Sequence, residues 1–226
     1  MTKPIKILVF GTVFGIFLCL IFLPGCSEVN SSKKKESAII TEKSDTSFLF
    51  DGKTLDGWEI TNFGPQGPVY VSGGAIILGM GDGCTGITWN KAFPRTNYEV
   101  SLDAMRVAGN DFFCGLTFPV GKSPCSLIIG GWGGATVGLS SINGKDAAEN
   151  ETTSIHNFDK NRWYHIRLTI TDNCIKSWID STNVIDFTIG DKNLSIRPEV
   201  ELSRPFGIAS WNTTAAIRNI LLQRIE

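Results

Sequence analysis

The sequence predicts an all-β protein, a sandwich of two antiparallel sheets, and three observations support this fold class. Short apolar runs, some alternating with polar residues, follow one another between tight-turn residues from about residue 48 onward. Glycine is abundant, with 24 residues in a chain of 226. After the first 26 residues, no segment shows the apolar period of a helix of ordinary length. The remaining length suffices for one sizeable core.

The first 26 residues have a different composition from the rest. Lys3 and Lys6 precede an almost wholly apolar stretch at 7–23, and Leu-Pro-Gly-Cys ends at Cys26. This order is typical of a secretory signal, although 17 apolar residues nearly suffice for an uncleaved transmembrane anchor. Leu-Pro-Gly-Cys resembles the bacterial lipobox, which implies a lipoprotein signal peptide over 1–26 with Cys26 acylated. We therefore expect an exported protein, lipid-anchored to a bacterial membrane on its periplasmic or cell-surface side.

Residues 27–47 are polar and contain the run Lys33-Lys34-Lys35. This composition predicts a flexible linker. The predicted folded domain covers the remainder, 48–226.

The domain opens with two Asp-Gly pairs in Leu-Phe-Asp-Gly-Lys-Thr-Leu-Asp-Gly-Trp, residues 49–58. Asp-Gly favours tight turns, because glycine adopts positive φ without strain and Asp bonds to its own backbone. We expect the chain to turn twice here, with Trp58 packed against the core rather than binding a ligand.

Further strands follow in order. Residues 99–104 alternate polar and apolar, as in a half-buried strand. The glycine-rich bend at 130–134 separates two short apolar runs, 126–129 and 137–140. If 112–119 and 125–129 form a hairpin around Gly121-Lys122, Cys125 faces Phe118 rather than Cys114. Trp89 and Trp163 are expected in the core.

The clearest hairpin lies at 163–180, with its turn at Asp172-Asn173. This register places every apolar residue of the core face opposite a suitable partner and sets Arg167 over Trp178. The predicted pairs are Ile170 with Ile175, Thr169 with Lys176, Leu168 with Ser177, Arg167 with Trp178, Ile166 with Ile179 and His165 with Asp180. The apolar pattern at 215–222 predicts a last strand.

Charge and cysteine spacing exclude two classes of function. The net charge is −1, from 21 basic and 22 acidic residues, and no basic stripe indicates nucleic-acid binding. The four cysteines after Cys26 lack the close spacing of a zinc site. Although an exported domain could oxidise them, we expect buried free thiols at Cys84, Cys114, Cys125 and Cys174.

Three segments resemble the 3-keto-disaccharide hydrolase domain family: LFDGKTLDGW at 49–58, WYHIRLTITDNCIKSWID at 163–180, and FGIASW at 206–211 with AAIRNILL at 215–222. The resemblance implies a concanavalin A-like jelly roll whose first and last strands are neighbours. It also implies hydrolysis of 3-keto-glycosides by elimination and rehydration. The family pattern has a Gln and a His that are absent from the matching stretch at 207–212.

That reaction needs a general base and a positive group, donor or metal ion that holds an enolate oxygen. The segment 196–205 supplies Glu199 and Glu201, which would share one face of a strand, with Arg197 and Arg204 beside them. We take Glu199, Glu201 and Arg204 as candidate catalytic residues and Arg197 as a candidate substrate-binding residue; a surface ion-pair cluster is the alternative. Glucanases of this fold carry Glu-x-Asp-x-x-Glu on one strand. In the matching segment 199–204, Arg204 replaces the last carboxylate, so the sequence argues against the two-carboxylate mechanism of those enzymes.

Two indoles and one loop are candidate substrate-binding features. Trp132 lies in the glycine-rich bend and Trp211 precedes Asn-Thr-Thr, so each is a sugar-stacking surface or a core residue. The loop 146–158 contains Asn150, a further candidate, although a solvated loop with a capping Asn is the alternative. Its Asp, Glu and His residues could also ligate a divalent metal, but no ligand spacing supports one, so the cofactor stays open.

Two functions fit these observations. One is an exported, lipid-anchored enzyme that cleaves 3-keto-glycosides. The other is a non-catalytic carbohydrate-binding sandwich; the missing Gln and His favour this function, and the paired glutamates favour the enzyme.

Overall fold

The structure, a computed structural model, describes residues 46–225. The predicted signal peptide, its lipidation residue Cys26 and most of the predicted linker lie outside these residues, so they stay predictions. The first strand begins at Thr46, two residues before the predicted start of the domain at 48.

The described residues form a sandwich of two antiparallel sheets, which confirms the predicted fold class. The strands are β1 Thr46–Phe48, β2 Trp58–Ile60, β3 Val69–Ser72, β4 Ala75–Leu78, β5 Cys84–Trp89, β6 Tyr98–Gly109, β7 Cys114–Val120, β8 Ser123–Gly131, β9 Thr136–Ser140, β10 Ser154–Ile155, β11 Trp163–Ile170, β12 Cys174–Ile179, β13 Thr182–Thr188, β14 Gly207–Trp211 and β15 Thr213–Arg224. Within 46–225, the one helix is a 3₁₀ helix, Pro198–Ser203. No helix in this part of the chain is long and apolar enough to cross a membrane.

One sheet has eight strands in the order β13-β12-β11-β6-β15-β4-β3, with β1 paired to β15. The other has seven, in the order β10-β9-β8-β7-β14-β5-β2. Alternate residues of both sheets meet in one apolar core that includes Leu102, Ile166, Leu127 and Ile208. The first and last strands are neighbours, as the family resemblance implied.

Two predicted hairpins have the predicted registers. In the β11–β12 pair, Ile170 lies opposite Ile175 and Arg167 opposite Trp178, with the guanidinium 4.1 Å from the ring centre. In the β7–β8 pair, Phe118 lies opposite Cys125. The four cysteines beyond Cys26 are free, and Cys174 is less buried than the other three.

The two Asp-Gly turns carry the chain from one sheet to the other. The Asp51 carboxylate accepts hydrogen bonds from the backbone N–H groups of Lys53 and Thr54, at 2.8 and 2.7 Å. Trp58 is then buried in the core, and its indole N–H donates to the Leu49 carbonyl at 2.7 Å. Its ring lies edge-on to Trp89, with the centroids 5.1 Å apart. The structural role predicted for Trp58 is confirmed.

The prediction that Trp163 lies in the core is wrong. This residue is partly exposed, and the Arg218 guanidinium lies 4.0 Å from its ring centre. Because β11 alternates, Trp163 shares the face opposite Tyr164 and the core, where a cation can cover it.

Candidate functional site

A cavity of about 180 Å³ lies on the outer face of the seven-stranded sheet. Its floor includes Ser126 and Ile128 of β8, which alternate with the core residues Leu127 and Ile129 and therefore face away from the core. Ser140 at the end of β9 and Cys84 at the start of β5 also line it. Burial, with the nearby charge of Glu199, raises the pKa of the Cys84 thiol to about 12, so this group is protonated at neutral pH.

Two indoles line the cavity, and both were candidate substrate-binding residues in the sequence. Trp211 ends β14, and its backbone N–H donates to the Phe112 carbonyl at 3.0 Å. The Phe112 ring lies 6.5 Å from the Trp211 ring and also lines the cavity. Trp132, in the bend between β8 and β9, is 45% exposed. A large exposed ring beside a cavity is typical of a binding surface rather than of a core.

A buried arginine holds the bend that carries Trp132. The Arg106 side chain donates to the carbonyls of Gly130 and Gly134, at 3.2 and 2.8 Å, and its guanidinium lies 5.0 Å from the Phe113 ring centre. Trp132 has φ +47°, a backbone conformation that costs free energy for a residue with a side chain. The two hydrogen bonds from Arg106 on either side help to stabilise this strained conformation.

Arg197 joins two carboxylates at one side of the cavity. Its guanidinium donates to both oxygens of Glu199, at 2.8 and 3.3 Å, and to Asp146. These bonds lower the pKa of Glu199 and raise that of Arg197. Glu199 and Arg197 both line the cavity, so the pair is part of a concave site and not only a surface ion pair.

A second carboxylate lines the same cavity, that of Asp111. Its Oδ1 accepts from the Phe112 N–H at 2.7 Å, and its Oδ2 accepts from the Gly133 N–H at 3.4 Å. Its own N–H donates to the buried Thr213 hydroxyl at 3.0 Å. The sequence analysis missed Asp111, because this residue precedes a strand without any motif.

Glu201 and Arg204 lie at a different cavity of about 410 Å³, which Arg95 and Lys122 also line. Glu201 pairs with Arg204 at 2.6 Å. The prediction that Glu199 and Glu201 share one face of a strand is wrong, because Pro198–Ser203 is a 3₁₀ helix. With about three residues per turn, side chains two positions apart point in different directions. The structure therefore does not bring Glu201 and Arg204 together with Glu199.

Asn150 does not line either cavity. It is 9% exposed and its amide nitrogen donates to the carbonyls of Leu139 and Asp146, both at 2.7 Å. Its amide oxygen accepts from the backbone and hydroxyl of Thr152. These bonds occupy the polar atoms that a sugar would need, so the structure assigns Asn150 to holding its loop against β9 rather than to substrate binding.

Among residues 46–225, no three His, Cys, Asp or Glu side chains are grouped as metal ligands would be. The Asp, Glu and His residues of the loop at 146–158 are therefore not gathered into such a group.

The fold and the cavity define a class: a jelly-roll domain with a cavity on the outer face of one sheet. More particularly, the chain belongs to the family of 3-keto-alpha-glucoside-1,2-lyase-like domains, whose sequence profile matches residues 45–223. Among curated proteins, none matches the sequence.

Solved structures share the fold at low identity. A candidate glycosyl hydrolase from Parabacteroides distasonis is 15% identical with a TM-score of 0.52, covering 80% of this chain and 94% of its own. The Bacillus licheniformis beta-glucanase is 12% identical with a TM-score of 0.54, covering 82% of this chain and 100% of its own. A protein of unknown function with a galectin-like fold from Bacillus subtilis is 10% identical with a TM-score of 0.55, covering 75% of this chain and 90% of its own. These similarities establish the jelly roll, and a shared fold does not by itself define the chemistry of a site.

Proposed function

We propose that this cavity binds a 3-keto-glycoside and that the protein cleaves its glycosidic bond by elimination followed by rehydration. We also propose that it acts as an exported protein anchored through Cys26. The observation that carries the proposal is the convergence of two indoles, a guanidinium and two carboxylates on one cavity of a chain that belongs to this family.

The residues suit a ligand that has one apolar face and several polar groups. Trp132 and Trp211 offer flat apolar surfaces, while Ser126 and Ser140 offer hydroxyls on the floor. The cavity is smaller than the range of about 300–1,000 Å³ that is common for drug-sized ligands. An occupant of one or two sugar rings is therefore favoured over a long enclosed polymer.

The same residues suit the reaction. A ketone at C3 acidifies the proton at C2, so a carboxylate within the cavity can act as the base. The negative charge then develops on the ketone oxygen, and the Arg197 guanidinium is the cation that lines the cavity. Glu199 holds that guanidinium in place through two hydrogen bonds.

Non-catalytic binding of a carbohydrate is the second candidate function. The Gln and His of the family pattern are absent at 207–212, and Trp211 lines the cavity from that stretch instead. An indole supplies binding surface but no proton transfer, which favours binding without turnover.

Incubation of the purified full-length protein with 3-keto-trehalose or 3-keto-sucrose, with and without a chelator, tests the proposal. We expect glycosidic cleavage, and we expect Glu199→Gln to lower kcat/KM by about tenfold or more because Arg197 loses a charged partner. Glu201→Gln is the matched control: the residue lies two positions away but lines the other cavity, so its kcat/KM should stay within about twofold.

Binding of the 3-keto sugar without any cleavage would replace the enzymatic proposal with the binding function. Equal losses in both variants would contradict the choice of cavity.

A further inference from the structure

We infer that Asp111 is the general base of this site and that Glu199 is a positioning residue for Arg197. The inference rests on the proposed function and assigns roles that the sequence pattern placed elsewhere. The hydrogen bonds that each carboxylate already makes distinguish the two roles.

Proton uptake by Glu199 is disfavoured, because a guanidinium stabilises its ionised carboxylate. Both of its oxygens accept from the Arg197 guanidinium, at 2.8 and 3.3 Å. Protonation of Glu199 would break this paired contact and leave a guanidinium at the cavity with one carboxylate fewer. The lowered pKa of Glu199, caused first by the bond from Arg197, agrees with this geometry.

Asp111 has the complementary arrangement. Its Oδ1 is anchored by the Phe112 N–H at 2.7 Å, whereas its Oδ2 accepts only a long contact of 3.4 Å from Gly133. The carboxylate is thus fixed at one oxygen while the other keeps lone pairs for a ligand in the cavity that it lines. The charge of Asp111 acts on Arg106, but the Arg106 guanidinium donates to the carbonyls of Gly130 and Gly134 rather than to this carboxylate.

The backbone around Asp111 is also held in place. Its N–H donates to Thr213, whose side chain is fully buried, and Phe112 next to it accepts the N–H of Trp211 through its carbonyl. Gly133, which contacts the carboxylate, directly follows Trp132. Asp111 is thus tied through hydrogen bonds to both of the segments that carry the indoles of the cavity.

The other acid–base candidate of the cavity is excluded by its own chemistry. Cys84 lines the cavity, but burial raises the pKa of its thiol to about 12, so the thiolate is scarce at neutral pH.

The step balances without a further reactant besides water. The Asp111 carboxylate takes the proton from C2, and the electron pair of that C–H bond forms a C2–C3 double bond with the charge on the ketone oxygen, beside Arg197. The pair then returns to form a C1–C2 double bond, the C1–O bond breaks, and the departing oxygen receives the proton from Asp111. Water adds across C1 and C2, so the sum is hydrolysis.

The test compares Asp111→Asn, which keeps an oxygen for the Phe112 N–H, with the unchanged full-length protein on 3-keto-trehalose. We expect kcat to fall by about 100-fold or more, the loss typical of a missing general base, with KM within about threefold. Deuterium uptake at C2 of the bound sugar in D₂O should fall with kcat. Acetate should restore part of the activity of Asp111→Ala.

Asp191→Asn makes the same change at an exposed residue that lines neither cavity, and it should leave all three readouts unchanged. Glu199→Gln should keep C2 exchange within about tenfold of the original rate while raising KM, because it acts through Arg197.

Cleavage by the original protein together with an Asp111→Asn rate within about tenfold of it would overturn the inference and leave the proposed function standing. If the original protein binds the sugar but never cleaves it, both fail.

Discussion

The Asp103 carboxylate joins three strands of the eight-stranded sheet through side-chain hydrogen bonds. It contacts the His165 ring on β11 at 2.9 Å, and it accepts from Arg218 and Asn219 on β15 at 3.2 and 2.8 Å. Asn219 has φ +54° at an irregularity in the pairing of β15 with β6. The Arg-Asn pair of the family-like ending therefore holds a β-bulge against Asp103 rather than lining the candidate site.

Replacing this carboxylate should destabilise the protein in a pH-dependent way. Burial alone would raise the pKa of Asp103, but bonds from His165, Asn219 and Arg218 lower it below the ordinary 3.8. A lowered folded-state pKa gives stability that is present above the unfolded pKa and is lost as the pH falls through the folded value. We expect Asp103→Asn to lower the free energy of unfolding by about 1–2 kcal/mol at pH 7, with the difference shrinking towards pH ~2.5.

Urea denaturation at the two pH values measures this difference. Asp186→Asn, which removes an exposed ion pair with Lys176, is the control and should cost no more than about 0.5 kcal/mol. A difference that is the same at both pH values would show that the ionised carboxylate is not the cause.

The two Asp-Gly turns test how local chemistry and packing combine within an element. Gly52 and Gly57 have φ of +78° and +81°, so both positions favour glycine. A methyl group at Gly57 would lie 2.6 Å from a ring carbon of Trp89, whereas one at Gly52 would have its nearest neighbour at 4.0 Å.

Both Gly→Ala variants should therefore lose about 1–2 kcal/mol from backbone strain. Gly57→Ala should lose about 1–3 kcal/mol more from the collision with Trp89, a buried core ring that cannot move freely. Thermal and chemical denaturation of the pair measures the gap. Equal losses of unfolding free energy in the two variants would mean that the Trp89 ring moves aside without destabilising the protein.

The β11–β12 hairpin was predictable because its register follows from alternate apolar residues and a two-residue turn, both of which are local. The same rule of alternation failed at 196–205, where Pro198 starts a 3₁₀ helix and sends Glu199 and Glu201 to different cavities. Asp111 was beyond prediction for another reason: its partners Thr213 and Gly133 lie 102 and 22 residues away in the chain. A pattern in neighbouring residues carries no information about such contacts.

At the scale of the whole molecule, one apolar core joins both sheets and receives residues from the first turn to the last strand. We expect residues 46–225 to unfold in a single cooperative transition. The tryptophans report on both sheets, since Trp163 and Trp178 lie in one and Trp58, Trp89 and Trp211 in the other.

Unfolding by guanidinium chloride, followed by tryptophan fluorescence and by far-ultraviolet circular dichroism, should therefore give coincident midpoints. Separate midpoints would mean that one sheet persists without the other. A ligand for the cavity should move both curves together, because it binds a site on the folded sandwich.

Arg106 lies on β6 in the eight-stranded sheet, yet its guanidinium donates hydrogen bonds to the bend of the seven-stranded sheet that contains Trp132. The backbone that carries the Trp132 indole is thus held from the other sheet, so its conformational entropy is lost when the chain folds and not when a ligand binds. A sugar that binds beside Trp132 therefore meets a preorganised surface and need not order a loop. We expect its binding to show little of the entropic penalty that flexible binding loops incur.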